Sequence, residues 1–311
     1  MHNNRRNFLK KAAALTAGSL AIPYLSNASG LSDLFAAEKP VGIQLFTVFE
    51  KMNNDPKATL EKIASIGYKE IESAFSTRGG YYGYKPKEFK KIVEDLGMKW
   101  RAHHALGAPF KMPKGGKMPV GADGKPITIP TMMNLRDNYQ QLVDDAAEGG
   151  LKYLVCASTP VSTMDEVKNS IEVFQKTGEA SKKAGIGFAY HNHATEFDPV
   201  EGGKTAYELV LSQTDKDLVK MELDLAWATK AGKDPVALFK EHPGRFPLWH
   251  VKDIKKDLQT ITEVGTGVVE FQRIFEAAKI AGLQYFFVEY DLAPTFDTVE
   301  LCYKNLKKVI G

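Results

Sequence analysis

Cysteine is nearly missing from this chain: Cys156 and Cys302 are the only two among 311 residues. They are far apart and not in a C-x-x-C arrangement, which argues against a thiolate metal site or a disulfide scaffold. Cys156 sits in an apolar run and reads as a small buried hydrophobe. Charge of one sign is also missing. The 41 Lys and Arg against 38 Asp and Glu leave a net charge of +3, and Arg5, Arg6, Lys10 and Lys11 supply part of that excess. The remainder is near neutral, without the basic footprint of a nucleic-acid binder or the acidity of a disordered chain. No run beyond the N-terminal segment approaches the roughly 20 apolar residues of a membrane span. No G-x-G-x-x-G follows the first strand-like segment, where "IQLFTVFEKM" stands instead, so a dinucleotide-binding doubly wound sheet lacks its marker.

With 43% hydrophobic and 25% charged residues, the chain has ordinary globular composition and enough length for one large core. Its N-terminus reads as a targeting segment. Arg5 and Arg6, then Phe8-Leu9, precede a weakly hydrophobic stretch at 12–25 that is rich in Ala, Gly and Thr. That resembles a twin-arginine export signal, a route that carries folded proteins. The expected division is a leader at 1–37 and a single domain at 38–311, exported to the periplasm, with no membrane span in the mature chain and a homo-oligomer left open.

After the leader, short runs rich in β-branched and aromatic residues alternate with longer segments of helical spacing. Strands are expected at 41–48, 68–74, 98–105, 153–157, 187–193, 219–226, 246–252 and 285–290. Helices are expected at 56–66, 86–96, 165–184 and 271–281, each followed by Gly, a helix stop. Eight strand–helix units imply a parallel sheet, and eight strands close a barrel. The expected fold is α/β, a (β/α)8 TIM barrel. Residues 107–131, loaded with Gly, Pro, Met and Lys, form a loop long enough to shape a substrate or to be a mobile insertion.

Barrels of this type build their sites at the C-terminal strand ends, and the polar residues fall there. Strand two ends with Glu72 and strand three with His103 and His104. Strand five ends with His191, Asn192 and His193, followed by Glu196. Strand six ends with Glu222 and Asp224, strand seven with His250, Lys252 and Asp253, and strand eight with Glu289, followed by Asp291. Polar groups at the ends of apolar strands are expensive unless they share a ligand. Carboxylates and imidazoles meeting in one mouth suit a single divalent cation, Mn2+, Co2+, Zn2+ or Mg2+. Such an ion polarises a carbonyl and favours proton abstraction beside it through an enediolate. The expected acid/base and catalytic groups are His191, His193, Lys252 and Glu72. His103, taken as the inward histidine by register, is expected to bind substrate with Glu222 and Trp249.

The motifs "AYHNHATEF", "LDLAW", "WHVKD", "EVGTGVVEF" and "FFVEYD" resemble the sugar phosphate isomerase/epimerase group of xylose isomerase-like barrels, which includes inosose dehydratases and ketose 3-epimerases. The resemblance runs from about Val41 to Ile310. It implies one metal held by Asp224, His250 and Glu289, with Glu196 as first ligand on the dehydratase pattern. The epimerases place a glutamate where this chain has His191. It further implies a small carbohydrate substrate, with isomerisation, epimerisation and a lyase reaction on 3-keto-glycosides all open. A non-catalytic sugar-binding barrel is the remaining alternative. The export signal and the missing phosphate-binding loop favour an unphosphorylated sugar.

Overall fold

The computed structural model describes residues 39–109 and 132–311. The expected leader at 1–37, and the loop at 107–131 apart from Gly107, Ala108 and Pro109, lie outside the described residues. Eight strands close into a barrel: β1 (Gly42–Gln44), β2 (Glu70–Ser73), β3 (Lys99–Leu106), β4 (Tyr153–Ser158), β5 (Gly187–His191), β6 (Val219–Asp224), β7 (Leu248–Val251) and β10 (Tyr285–Val288). All eight neighbouring pairs are parallel, with β1 closing against β10. A small antiparallel hairpin, β8 (Asp253–Ile254) and β9 (Ile261–Thr262), follows β7. The expected TIM barrel is the observed fold.

Around the barrel run α1 (Phe49–Asn54), α2 (Pro56–Ile66), α3 (Pro86–Asp95), α4 (Leu135–Glu148), α5 (Met164–Lys183), α6 (Ala206–Gln213), α7 (Leu225–Lys230), α8 (Pro235–Glu241), α9 (Phe271–Glu276), α10 (Ala278–Ala281) and α11 (Phe296–Ile310). Their starts follow from capping chemistry. Asp55 accepts the Ala58 amide ahead of Pro56, and Thr163 and Thr205 form reciprocal caps with Glu166 and Glu208, each cap contributing about 1 kcal/mol. The helix expected at 271–281 is broken at Ala277 into α9 and α10. Gly282 then turns the chain at φ 78°, left-handed backbone that other residues adopt at a cost.

Alternation along each strand sorts the core into two. Ala102, Tyr153, Val155, Ala189, Leu248 and Phe287 fill the barrel interior. Outward residues pack on helices: Trp249 stacks on Phe239 at 4.9 Å, and Phe188 lies 5.6 Å from Phe174. The strands are shorter than expected because their ends are taken by turns. Gln44 accepts the Phe46 amide and starts a 3-10 turn at Leu45–Val48, and Asp224 caps α7 through the Trp227 amide at 2.8 Å. Between β2 and β3 the register slips, Ile71 facing Trp100 while Glu72 faces Ala102. Arg101 is thus the extra residue of a bulge.

Candidate active site

The barrel interior is apolar at its base and polar at its C-terminal mouth, where Gln44, Glu72, His104, His191, Glu222, Asp224, His250, Lys252 and Glu289 are all buried. Strand register brings them together. His191 sits beside Glu222, Asp224 beside His250, and His250 beside Phe287, two residues before Glu289. His250 is the hub. Its Nδ1 lies 2.6 Å from Glu289 Oε2 and 3.9 Å from Asp224 Oδ2. Its Nε2 lies 2.7 Å from Glu72 Oε2 and 3.2 Å from Glu222 Oε2. Glu72 also accepts from Gln44 Nε2 at 2.8 Å.

His191, Asp224, His250 and Glu289 each offer a ligand atom, and those atoms lie within 4.8 Å of one another. Asp224 Oδ2 is buried without a hydrogen bond, with His250 Nδ1 at 3.9 Å and the Lys252 ammonium at 3.2 Å as its positive neighbours among the described residues, and His191 Nδ1 lies 3.3 Å from Glu222 Oε2. Two imidazoles and two carboxylates form an N/O donor set suited to a divalent transition ion. The residues therefore fit the expected cation. Burial, together with the neighbouring His250, holds His191 well below the usual imidazole range, in the neutral form that ligates metals. Burial opposes the ionised Glu289, but Lys252 and His250 outweigh it and hold its carboxyl well below the usual range. Burial and the Glu222 charge instead push Glu72 up to about 7.

Lys252 completes the cluster, its ammonium 2.8 Å from Glu289 and 2.8 Å from Asp291. Burial disfavours its charge, yet Asp224, Glu289 and Asp291 more than compensate, so its pKa lies well above the ordinary value. Asp253 points elsewhere. It accepts the amides of Ile254, Gly265, Gly267 and Val269 and so pins the "GTG" segment beside β7. A solvent-open chamber of about 160 Å3 lies over the mouth, lined by Phe46, Phe75, His104, His193 and Asp291 as well as His191, Lys252 and Glu289.

Several expected site residues take other places. A second group of potential ligands, His104, His191, Glu222 and His250, shares two members with the first, and Glu196 joins neither among the described residues. It accepts from the Tyr190 hydroxyl at 3.2 Å and the His193 amide at 2.9 Å, so it fixes the turn after β5, while His191 is the β5 residue among the potential ligands. His103 points away from the barrel axis, against Ser73 Oγ at 2.8 Å and the Tyr81 ring at 4.8 Å. The Arg101 bulge inverts the alternation between Trp100 and the strand end, turning His104 inward. Trp249 is wholly buried in the helix layer between Phe239 and Phe275, beyond reach of a substrate. Glu72 and Glu222 lie in the cluster but not on the chamber wall; Glu72 supports His250, and Glu222 holds His104 Nε2 at 2.6 Å. Lys252, His191 and His193 do face the chamber.

His104 and Phe75 are the functional candidates the sequence reading passed over. Ala102 carries the missing signal, since a small residue two before His104 suits a crowded barrel interior. Phe75 follows β2 and packs near Phe46 and Phe49 at 6.0 and 5.4 Å.

A closed parallel barrel whose late strands bring two histidines and two carboxylates to one mouth defines a class of barrel with a metal-competent C-terminal site. The chain belongs to the xylose isomerase-like TIM barrel family, whose model matches residues 60–300. It is 28% identical to a sugar phosphate isomerase/epimerase from Parabacteroides distasonis, with a TM-score of 0.71 over 88% of this chain and 100% of that one. An inosose dehydratase from Geobacillus thermodenitrificans is 24% identical over 163 residues, 46% of this chain. The chain spans about half the length of that curated relative, 53%. The IOLI protein, solved with a zinc atom, shares the fold at 16% identity and a TM-score of 0.62, over 88% of this chain and 98% of that one. Among the described residues, no helix is long and apolar enough to cross a membrane.

Proposed function

We propose that the protein is a metal-dependent sugar isomerase or epimerase that removes the proton next to a carbonyl and returns it through an enediolate. The observation that carries this reading is the convergence of His191, Asp224, His250 and Glu289 on one buried point beneath an open chamber. A divalent ion held by these four residues would supply Lewis acidity beside a substrate carbonyl. Around it, the chain's own groups handle protons and charge. His104, oriented by Glu222, and His193, half exposed two residues past β5, line the chamber and serve as the general acid/base groups. The Lys252 ammonium offers a fixed positive charge to oxygen that becomes negative. Phe46 and Phe75 present apolar surface to a sugar ring.

An unphosphorylated sugar suits the chamber. Among its described lining residues there is no arginine, and Lys252 is the one lysine. Zinc is among the ions to be tried, on the strength of the zinc-bound IOLI protein. Elimination is the second reading. It is favoured by His191 standing where the epimerases have a glutamate, and by the similarity to inosose dehydratases.

Incubation of the metal-loaded protein in D2O with ketoses and with 3-keto-glycosides tests both. Deuterium at the carbon beside the carbonyl is the expected outcome, with an isomeric sugar from isomerisation and lost water or aglycone from elimination. Sugar binding without deuterium uptake would make the protein a non-catalytic sugar-binding barrel and end this proposal. We also propose that residues 1–37 direct twin-arginine export. Replacing Arg5 and Arg6 by Lys should then retain the protein in the cytoplasm, and unchanged secretion would refute it.

A further inference from the structure

Gln44 ends β1 and is wholly buried, yet among the described residues it belongs neither to the chamber wall nor to the groups of potential ligands. A buried side-chain amide is costly unless both of its ends are paired. Both are. Gln44 and Glu72 are direct neighbours across the β1–β2 ladder, and Gln44 Nε2 donates to Glu72 Oε2 at 2.8 Å. Gln44 Oε1 accepts the Phe46 amide at 3.0 Å. The partners fix which end is which, since a carboxylate accepts and a backbone N–H donates.

Each end leads to a group that the site uses. Glu72, also wholly buried, places the same Oε2 atom 2.7 Å from His250 Nε2, while its Oε1 has no hydrogen-bond partner. One carboxylate oxygen therefore sets the ring, and the Gln44 amide steadies that oxygen. An Nε2–H directed at Glu72 leaves Nδ1 as the nitrogen facing Glu289 and Asp224, at 2.6 and 3.9 Å. A carboxylate behind a histidine in this way fixes the tautomer and the angle of a metal ligand. At the other end, the Phe46 amide opens the 3-10 turn at Leu45–Val48, which seats Phe46 on the chamber wall. The same turn ties down the segment after β10. Thr47 Oγ1 accepts the Tyr290 amide at 3.2 Å, next in the chain to Glu289, and the Thr47 carbonyl accepts the Ala293 amide at 2.8 Å.

We infer that Gln44 is a positioning residue shared by the ion site and the sugar site: one amide sets the His250 ring through Glu72 and seats Phe46 through the turn. The inference rests on the proposed metal-dependent reading and adds to it a residue that touches neither ion nor substrate. The two ends separate chemically. Gln44→Glu keeps an oxygen for the Phe46 amide but turns a carboxylate against Glu72. Gln44→Met, of similar length, removes both links.

Calorimetric titration of the full-length protein with Zn2+, together with NMR of labelled histidine rings and backbone amides with and without the ion, tests this. Both variants should bind Zn2+ about 10- to 100-fold more weakly than the wild type. The His250 Nε2 proton, slow to exchange with solvent in the wild type, should exchange rapidly in both. Exchange at the Phe46 amide should stay slow in Gln44→Glu and become fast in Gln44→Met, a split that general loosening of the core would not produce. Should Gln44→Glu fail to fold, Gln44→Met decides the Zn2+ affinity and the ring proton. Wild-type Zn2+ affinity in the folded variants, a His250 proton that stays protected, or equal Phe46 exchange in the two would overturn the inference. None of these readouts needs a substrate. Weakened Zn2+ binding without deuterium uptake by any sugar sinks only the proposed chemistry, and deuterium uptake with Zn2+ affinity indifferent to Gln44 sinks only the role of Gln44.

Discussion

Lys252→Met removes the one ammonium that the described residues place in the acidic cluster, while keeping most of the side chain's volume. In the protein the ammonium lies 3.2 Å from Asp224, 2.8 Å from Glu289 and 2.8 Å from Asp291, and the residue is 1% exposed. Removing one partner of a buried pair costs about 3–5 kcal/mol. The Asp291 share is discounted because that side chain is 30% exposed and screened by water, which leaves about 3 kcal/mol. For a domain of this size that lowers Tm by roughly 6–12 °C. The folded pKa of Lys252 is raised above its ordinary value of 10.5. Its contribution is therefore complete below that value and is lost only as pH rises through the folded pKa, so about pH 7.5 is a safe condition. A divalent ion held by Asp224 and Glu289 supplies the positive charge the variant lacks. Calorimetric unfolding should show the full deficit in EDTA and about 1 kcal/mol or less with saturating Mn2+. Equal deficits in both conditions, or none in EDTA, would refute the assignment of these carboxylates to the ion.

Three further outcomes follow from the same geometry. His103 is pushed down to about 3 by burial and by neighbouring His104, against about 6.5 unfolded, so its contribution is present above the unfolded value and lost as pH falls toward 3. His103→Asn should flatten the loss of urea resistance between about pH 6.5 and pH 4, and an unchanged slope would contradict this. Trp249→Ala should destabilise by about 3–5 kcal/mol, a cavity in the helix layer, yet leave the metal content of the folded protein unchanged by mass spectrometry. Glu289→Gln should lower metal per chain, whereas Glu196→Gln should not; the reverse pattern would restore Glu196 as a ligand.

Much of this architecture is legible in residue order. The apolar runs and the glycines after helices announce the barrel, because both reflect local backbone preference and burial. Asp224, His250, Lys252 and Glu289 are legible for a different reason: isolated polar residues at the ends of apolar strands have few stable alternatives to a shared site. What escapes is whatever depends on a neighbour. A single bulge at Arg101, visible only once β2 and β3 are paired, exchanges the roles of His103 and His104. Glu196 and His191 are five residues apart, and only the turn after β5 decides which one reaches the axis. Trp249 has the composition of a sugar-stacking residue, and strand parity alone sends it into the helices.

The central claim is that His191, Asp224, His250 and Glu289 share one ion. Crystals grown with Mn2+, measured at an energy where manganese scatters anomalously, test it directly. A single anomalous peak in bonding contact with all four side chains is the predicted result. A peak coordinated by Glu196, or none at the mouth of the barrel, would contradict it.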